Sequence, residues 1–170
     1  MTNGTFSFSF VTMVNKKNLT REQALQKLKH YCSYQERCHK EVREKLYSLG
    51  VRKNEHDELI ASLIEENYLN EERFALAFAR GKWKMKQWGR MKIKYELKQK
   101  QISEYCIRKA IELIDDNEYA IVLKEIATQK YASLKGQQYL VRKKRTMDYL
   151  VQRGYESKLL DDVISNISGN

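Results

Sequence analysis

The sequence predicts an all-α protein, with three tandem three-helix repeats forming an elongated, curved array. Three observations carry this expectation. The chain has no proline and only seven glycines in 170 residues, too few turn residues for a strand-rich fold. Apolar residues recur at helical spacing between regular start and stop signals. The pattern also returns three times, with Leu46, Leu97 and Leu150 set 51 and 53 residues apart.

The predicted helices lie near 21–32, 35–49, 55–66, 71–87, 90–100, 104–115, 117–134, 138–152 and 157–167. The first, EQALQKLKHY, follows Thr20, which with Gln23 makes a capping box. Ser33 with Glu36 is the start signal of the second, and Gly50 stops it. Asn54 with Asp57 opens the third, DELIASLI. Asn70 and two glutamates open the fourth, ERFALAFARGK, where the helix dipole favours the acids. The fifth carries Ile93 and Leu97 on its core face and reaches a turn at Gln101. Ser103 with Glu104 opens the sixth, CIRKAIELI. The seventh, EYAIVLKEIATQKY, precedes a longer gap; the eighth stops at Gly154, and Ser157 opens the ninth, KLLDDVISNI.

Aligning KLYSLGV (45–51), ELKQKQI (96–102) and YLVQRGY (149–155) places a leucine four residues before Gly50, Gln101 and Gly154. The expected organisation is a tail over 1–18 and units over 19–69, 70–116 and 117–170. Each unit is large enough for a small core if it also stacks on its neighbour. The tail alternates Phe6, Phe8 and Phe10 with small polar residues, a pattern compatible with a short strand.

Charged residues are 32% and apolar residues 42%, which excludes a disordered chain. The longest apolar run in the body of the chain, Phe74 to Ala79, is far short of the ~20 residues of a membrane helix. Three cysteines without a recognisable signal peptide imply reduced thiols and a cytoplasmic setting. His30, Cys32, Cys38 and His39 match no zinc spacing, since His30 and Cys32 lie about 200° apart on a helix. The acidic pairs Glu65–Glu66, Glu71–Glu72, Asp115–Asp116 and Asp161–Asp162 are sequence neighbours, which do not face one site on a helix. The sequence shows no phosphate-cradling loop and no nucleophile motif, so the expected protein is not an enzyme.

The formal charge of +10 is unevenly spread. Residues 20–70 hold nine basic and nine acidic side chains, whereas residues 80–100 hold nine basic side chains, one acid and both tryptophans. Residues 142–145, RKKR, add a second basic cluster. Such concentration points to a polyanion or an acidic protein surface. At about 100° per residue, Phe74, Ala77, Phe78, Gly81 and Met85 share one stripe, with Trp83 nearly opposite among Leu76, Arg80, Lys86 and Gln87. Trp88 returns toward the core side. On the next helix Tyr95 points away, flanked by Met91, Lys92 and Lys98. Outward rings among cations suit single-stranded nucleic acid, with rings for bases and cations for phosphates. The candidate contact residues are Arg80, Lys82, Trp83, Lys84, Lys86, Arg90, Lys92, Lys94, Tyr95 and Lys98, with Arg142, Lys143, Lys144 and Arg145 as the second cluster.

The stretch NYLNEERFALAFARGKWKMKQWGRMKIKYELKQKQIS (67–103) resembles the central signature of the RecX family, regulators of the RecA recombinase. Tyr68, Leu69, Asn70, Glu71 and Glu72 match its entry and Phe74–Ala75 its Phe-Ala step. A basic stretch, Gly89, Ile93 and Glu96 to Lys100 complete it. Gln101 stands where the family usually has glycine, and the tail 1–18 matches nothing in it. The resemblance extends more loosely over 20–167. It implies tandem three-helix repeats that bind the groove of a RecA filament on single-stranded DNA and restrain recombination and SOS co-protease activity. It implies no catalytic residue, metal or nucleotide cofactor. A monomer acting without a membrane is expected. Two other readings stand beside it: direct nucleic-acid binding by helix-turn-helix-like units, and a scaffold whose basic face meets an unrelated acidic protein.

Overall fold

A computed structural model describes residues 19–168; the predicted tail 1–18 and its possible strand lie outside them. The described chain is all-α. Its helices are α1 (Arg21–Tyr34), α2 (His39–Ser48), α3 (His56–Glu65), α4 (Glu71–Lys86), α5 (Arg90–Gln99), α6 (Glu104–Glu112), α7 (Asp116–Ser133), α8 (Tyr139–Gln152) and α9 (Ser157–Ser168). A 3-10 turn, Lys53–Glu55, leads into α3.

Local capping explains most of the starts. Thr20 and Gln23 form a reciprocal box on α1. Asn70 accepts from the Arg73 N–H at 2.9 Å, Ser103 from Cys106 at 3.4 Å, and Asp115 from Glu118 at 2.9 Å. Each satisfies an N–H that the helix itself cannot. The second start differs from expectation. Ser33 stays inside α1, where its hydroxyl donates to the Lys29 carbonyl. The helix α2 begins instead after Cys38, whose N–H donates to the Glu41 carboxylate at 3.3 Å.

The three aligned turns share one hydrogen-bonding pattern. Gly50, Gln101 and Gly154 all take positive φ, at 75°, 61° and 88°. The N–H of the next residue then donates back to the marker leucine: Val51 to Leu46 at 3.2 Å, Ile102 to Leu97 at 3.1 Å and Tyr155 to Leu150 at 3.1 Å. This is the left-handed helix stop that glycine favours; Gln101 adopts it at the cost of Cβ crowding. The three leucines are fully buried.

Contacts run within α1–α2–α3, α4–α5–α6 and α7–α8–α9. The apolar interior nevertheless forms two clusters. Ala24, Leu28, Val42, Leu46, Leu59 and Leu63 belong to the first. The second merges the other six helices, from Phe74 and Leu97 to Leu150 and Leu160, and takes in Cys38. Cys32 and Cys38 therefore sit in different interiors.

The seam between the first three helices and the rest is largely polar. Glu36 pairs with Arg73 at 2.6 Å and Glu41 with Lys100 at 2.7 Å. Lys40 reaches the Gln99 carbonyl at 3.2 Å. Helices α4 and α5 meet α7, α8 and α9 through buried rings instead, with Trp83 5.2 Å from Tyr119 and Tyr119 5.2 Å from Tyr155.

Candidate nucleic-acid interface

The basic middle segment is folded around the turn between α4 and α5. Helix α4 stops because Gln87 enters the left-handed region at φ 50°. Gly89 then presses against the turn between α8 and α9. Its N–H donates to the Arg153 carbonyl at 2.8 Å, and Met91 N–H donates to the Gly154 carbonyl at 3.0 Å. A Cβ on Gly89 would stand 2.1 Å from the Gly154 oxygen, so only glycine fits this approach.

That docking fixes a cluster of cations around Trp88, which is half-buried. The Lys82 ammonium lies 4.9 Å from the indole centre and Lys92 lies 4.6 Å from it. Lys82 is also 5.1 Å from the Phe78 ring, and Lys100 is 5.7 Å from Phe74 and from Phe78. Arg153 joins at the edge, donating to the Lys86 carbonyl at 2.9 Å. Cations at these distances are held by the ring quadrupole for about 0.5–1 kcal/mol each at exposed sites. The ladder borders a cleft of about 480 Å³ between α4 and the 35–41 segment. Its other wall carries Glu36 and Glu41, and α5 adds Glu96, so the cleft is mixed in sign. Burial alone would lower the Lys100 pKa, but the hydrogen bond and charge of Glu41 outweigh it and raise the value.

The structure overturns one expectation directly. Trp83 does not point outward; it is 4% exposed. The wheel assumed one core face for α4, but this helix packs on α6 along one side and on α7 along another. The buried face therefore runs through Phe74, Ala75, Ala79 and Trp83. Ala77 and Met85, expected inside, are exposed. Trp83 Nε1 is buried without a hydrogen-bond partner.

Several expected contact cations are engaged within the molecule. Lys84 pairs with Glu118. Arg90 pairs with Asp116 at 2.6 Å, donates to the Ile114 carbonyl at 2.7 Å and lies over the Tyr119 ring. Lys98 pairs with Glu104 at 2.8 Å. In the second cluster Arg142 stacks on Tyr131 at 3.7 Å, Lys143 meets Asp161 at 3.8 Å, Lys144 meets Asp148 at 3.4 Å, and Arg145 donates to Gln137 at 3.0 Å. These four sit roughly 12–16 Å along the chain from Arg153, at about 1.5 Å per helical residue. The structure does not bring them to Trp88.

Arg80, Lys82, Lys86, Lys92 and Lys94 have no carboxylate within ion-pair distance among the described residues. Tyr95 is exposed as expected, beside exposed Met91. The outward ring among cations is thus Trp88, not Trp83. The sequence carried a signal for this in Gly89, which ends the helical phase one residue after the ring. Nothing in the sequence pointed to Arg153 or Phe78.

The family signature described as "RecX, second three-helix domain" matches residues 70–111. The regulatory protein RecX of Prosthecochloris aestuarii is 28% identical over 148 residues, spanning 85% of this chain and 95% of that protein. The regulatory protein RecX of Thermotoga maritima is 29% identical over 158 residues, spanning 91% and 90%. The chain is similar to RecX-family proteins over most of its length. The crystal structure of RecX from Lactobacillus salivarius superposes with a TM-score of 0.77 at 23% identity, over 88% of this chain and 97% of that one. A second RecX crystal structure gives 0.75 at 19% identity. The RecX fold therefore extends well beyond the segment matched by the signature. Its named relatives are regulatory proteins, and no described helix is long and apolar enough to cross a membrane.

Proposed function

We infer that this RecX-family chain docks on a RecA recombinase filament formed on single-stranded DNA and restrains recombination and SOS co-protease activity, without chemistry of its own. One observation supports the contact surface: Lys82 and Lys92, from two helices, converge on the half-buried Trp88. Arg80, Lys86, Lys94 and exposed Tyr95 extend that surface. We assign it to the middle of three units, 19–69, 70–116 and 117–170, with the polar seam between the first two. The protein acts as a cytoplasmic monomer in this reading, and the 142–145 cluster is at most a secondary contact.

A filament-stability measurement with and without the protein tests the reading. The protein is expected to shorten filament lifetime, and Lys82→Glu with Lys92→Glu to abolish the effect at unchanged melting temperature. Equal affinity for bare single strands and for filaments would overturn it in favour of direct nucleic-acid binding.

A further inference from the structure

Helices α1 and α2 form a second cleft that the function above does not use. It holds about 540 Å³, within the roughly 300–1,000 Å³ of small-ligand clefts. Lys27, His30, Tyr31 and Tyr34 line one wall from one face of α1. Arg37 and Lys45 close the other. No carboxylate lines it.

The first unit is neutral over 20–70, so this sign is made by folding. Five of its nine acids are committed elsewhere: Glu36 to Arg73, Glu41 to Lys100, Asp57 to Arg43, Glu58 to Arg21 and Glu66 to Lys29. Lys27, Arg37 and Lys45 have no ion-pair partner among the described residues. The Arg37 guanidinium lies 3.9 Å from the Tyr31 ring centre and the Lys45 ammonium 5.5 Å from it. Tyr34 is 80% exposed at the rim. In the third unit a similar pair, Arg142 over Tyr131, is sealed, with Tyr131 at 8% exposure. In the first unit the pair stays open.

We propose that the α1–α2 cleft binds a nucleotide of single-stranded nucleic acid, with the base stacked on Tyr34 and the phosphates against Lys27, Arg37 and Lys45. Cations alone would accept any anion. The open ring beside them selects a flat, unstacked base, which a duplex does not offer. This site does not depend on the recombinase, and its test omits it.

The probe is oligothymidylate, with an abasic oligomer of equal length and charge as the control. Tyr34→Ala and, separately, Lys27→Glu with Lys45→Glu are expected to weaken oligothymidylate binding about five-fold or more, at unchanged melting temperature. The abasic oligomer is expected to bind the unaltered protein more weakly. Photocrosslinks from 5-iodouracil are expected at Tyr31 or Tyr34. Unchanged affinity in these variants, equal binding of the abasic oligomer or of an acidic peptide, or crosslinks confined to other helices would each overturn the proposal. Failure of the unaltered protein to bind the filament, with its oligothymidylate binding intact, would count against the α4–α5 surface and leave this cleft standing.

Discussion

Trp83 and Trp88 are five positions apart and have opposite fates. Trp83 fills the space between α4 and Tyr119, so Trp83→Ala should cost about 3–5 kcal/mol of stability, read by chemical denaturation. Helix-wheel reasoning places this ring on the outer face. Leu97 is fully buried, and Leu97→Ala should cost about 2–5 kcal/mol in the same assay. Tyr155 shows a third behaviour. Burial pushes its phenol from 10.0 up to about 12, and its hydroxyl donates to the Gln87 carbonyl at 3.2 Å. A raised folded value means that the folded state holds the proton more tightly. That stability is fully present below pH 10 and is lost as pH rises toward 12. Tyr155→Phe should flatten this alkaline decline in a melting-temperature series.

At the scale of elements, the turns decide more than the helices. Gly50, Gln101 and Gly154 make the same hydrogen bond to Leu46, Leu97 and Leu150, so the repeat is visible in the backbone as well as in the sequence. Replacing Gln101 with glycine should stabilise the chain modestly, by about 0.4–1 kcal/mol, because positive φ costs glycine nothing. A melting curve checks this. Gly89 is the reverse case. Its Cβ position is occupied by the Gly154 carbonyl, so Gly89→Ala must part the two turns. That change should lower the melting temperature and release Trp88, seen as a red shift of tryptophan emission. The helix spans were legible because caps and periodicity are local. The start of α2 was not, because Ser33 bonds within α1 and Glu41 caps from inside the helix.

At the scale of the molecule, two seams of different chemistry join the helices. The α4–α9 part shares one apolar interior, whereas α1–α3 attach through Glu36–Arg73 and Glu41–Lys100. A double-mutant cycle on Glu41 and Lys100 should show a coupling of about 0.5–3 kcal/mol. Added salt should raise hydrogen exchange in α1–α3 before it affects α7–α9, since ion pairs screen and apolar contacts do not. By itself the sequence determined the all-α class, the recurring leucine-to-turn unit, the likeness to the RecX family and the existence of a basic middle. Those follow from residue type and spacing along one chain. Only the tertiary structure decided which tryptophan meets solvent, which lysines keep their charge unpaired, and that the neutral first unit presents a basic cleft. A helix has as many buried faces as it has neighbours, and a charge is free only where no distant carboxylate folds against it.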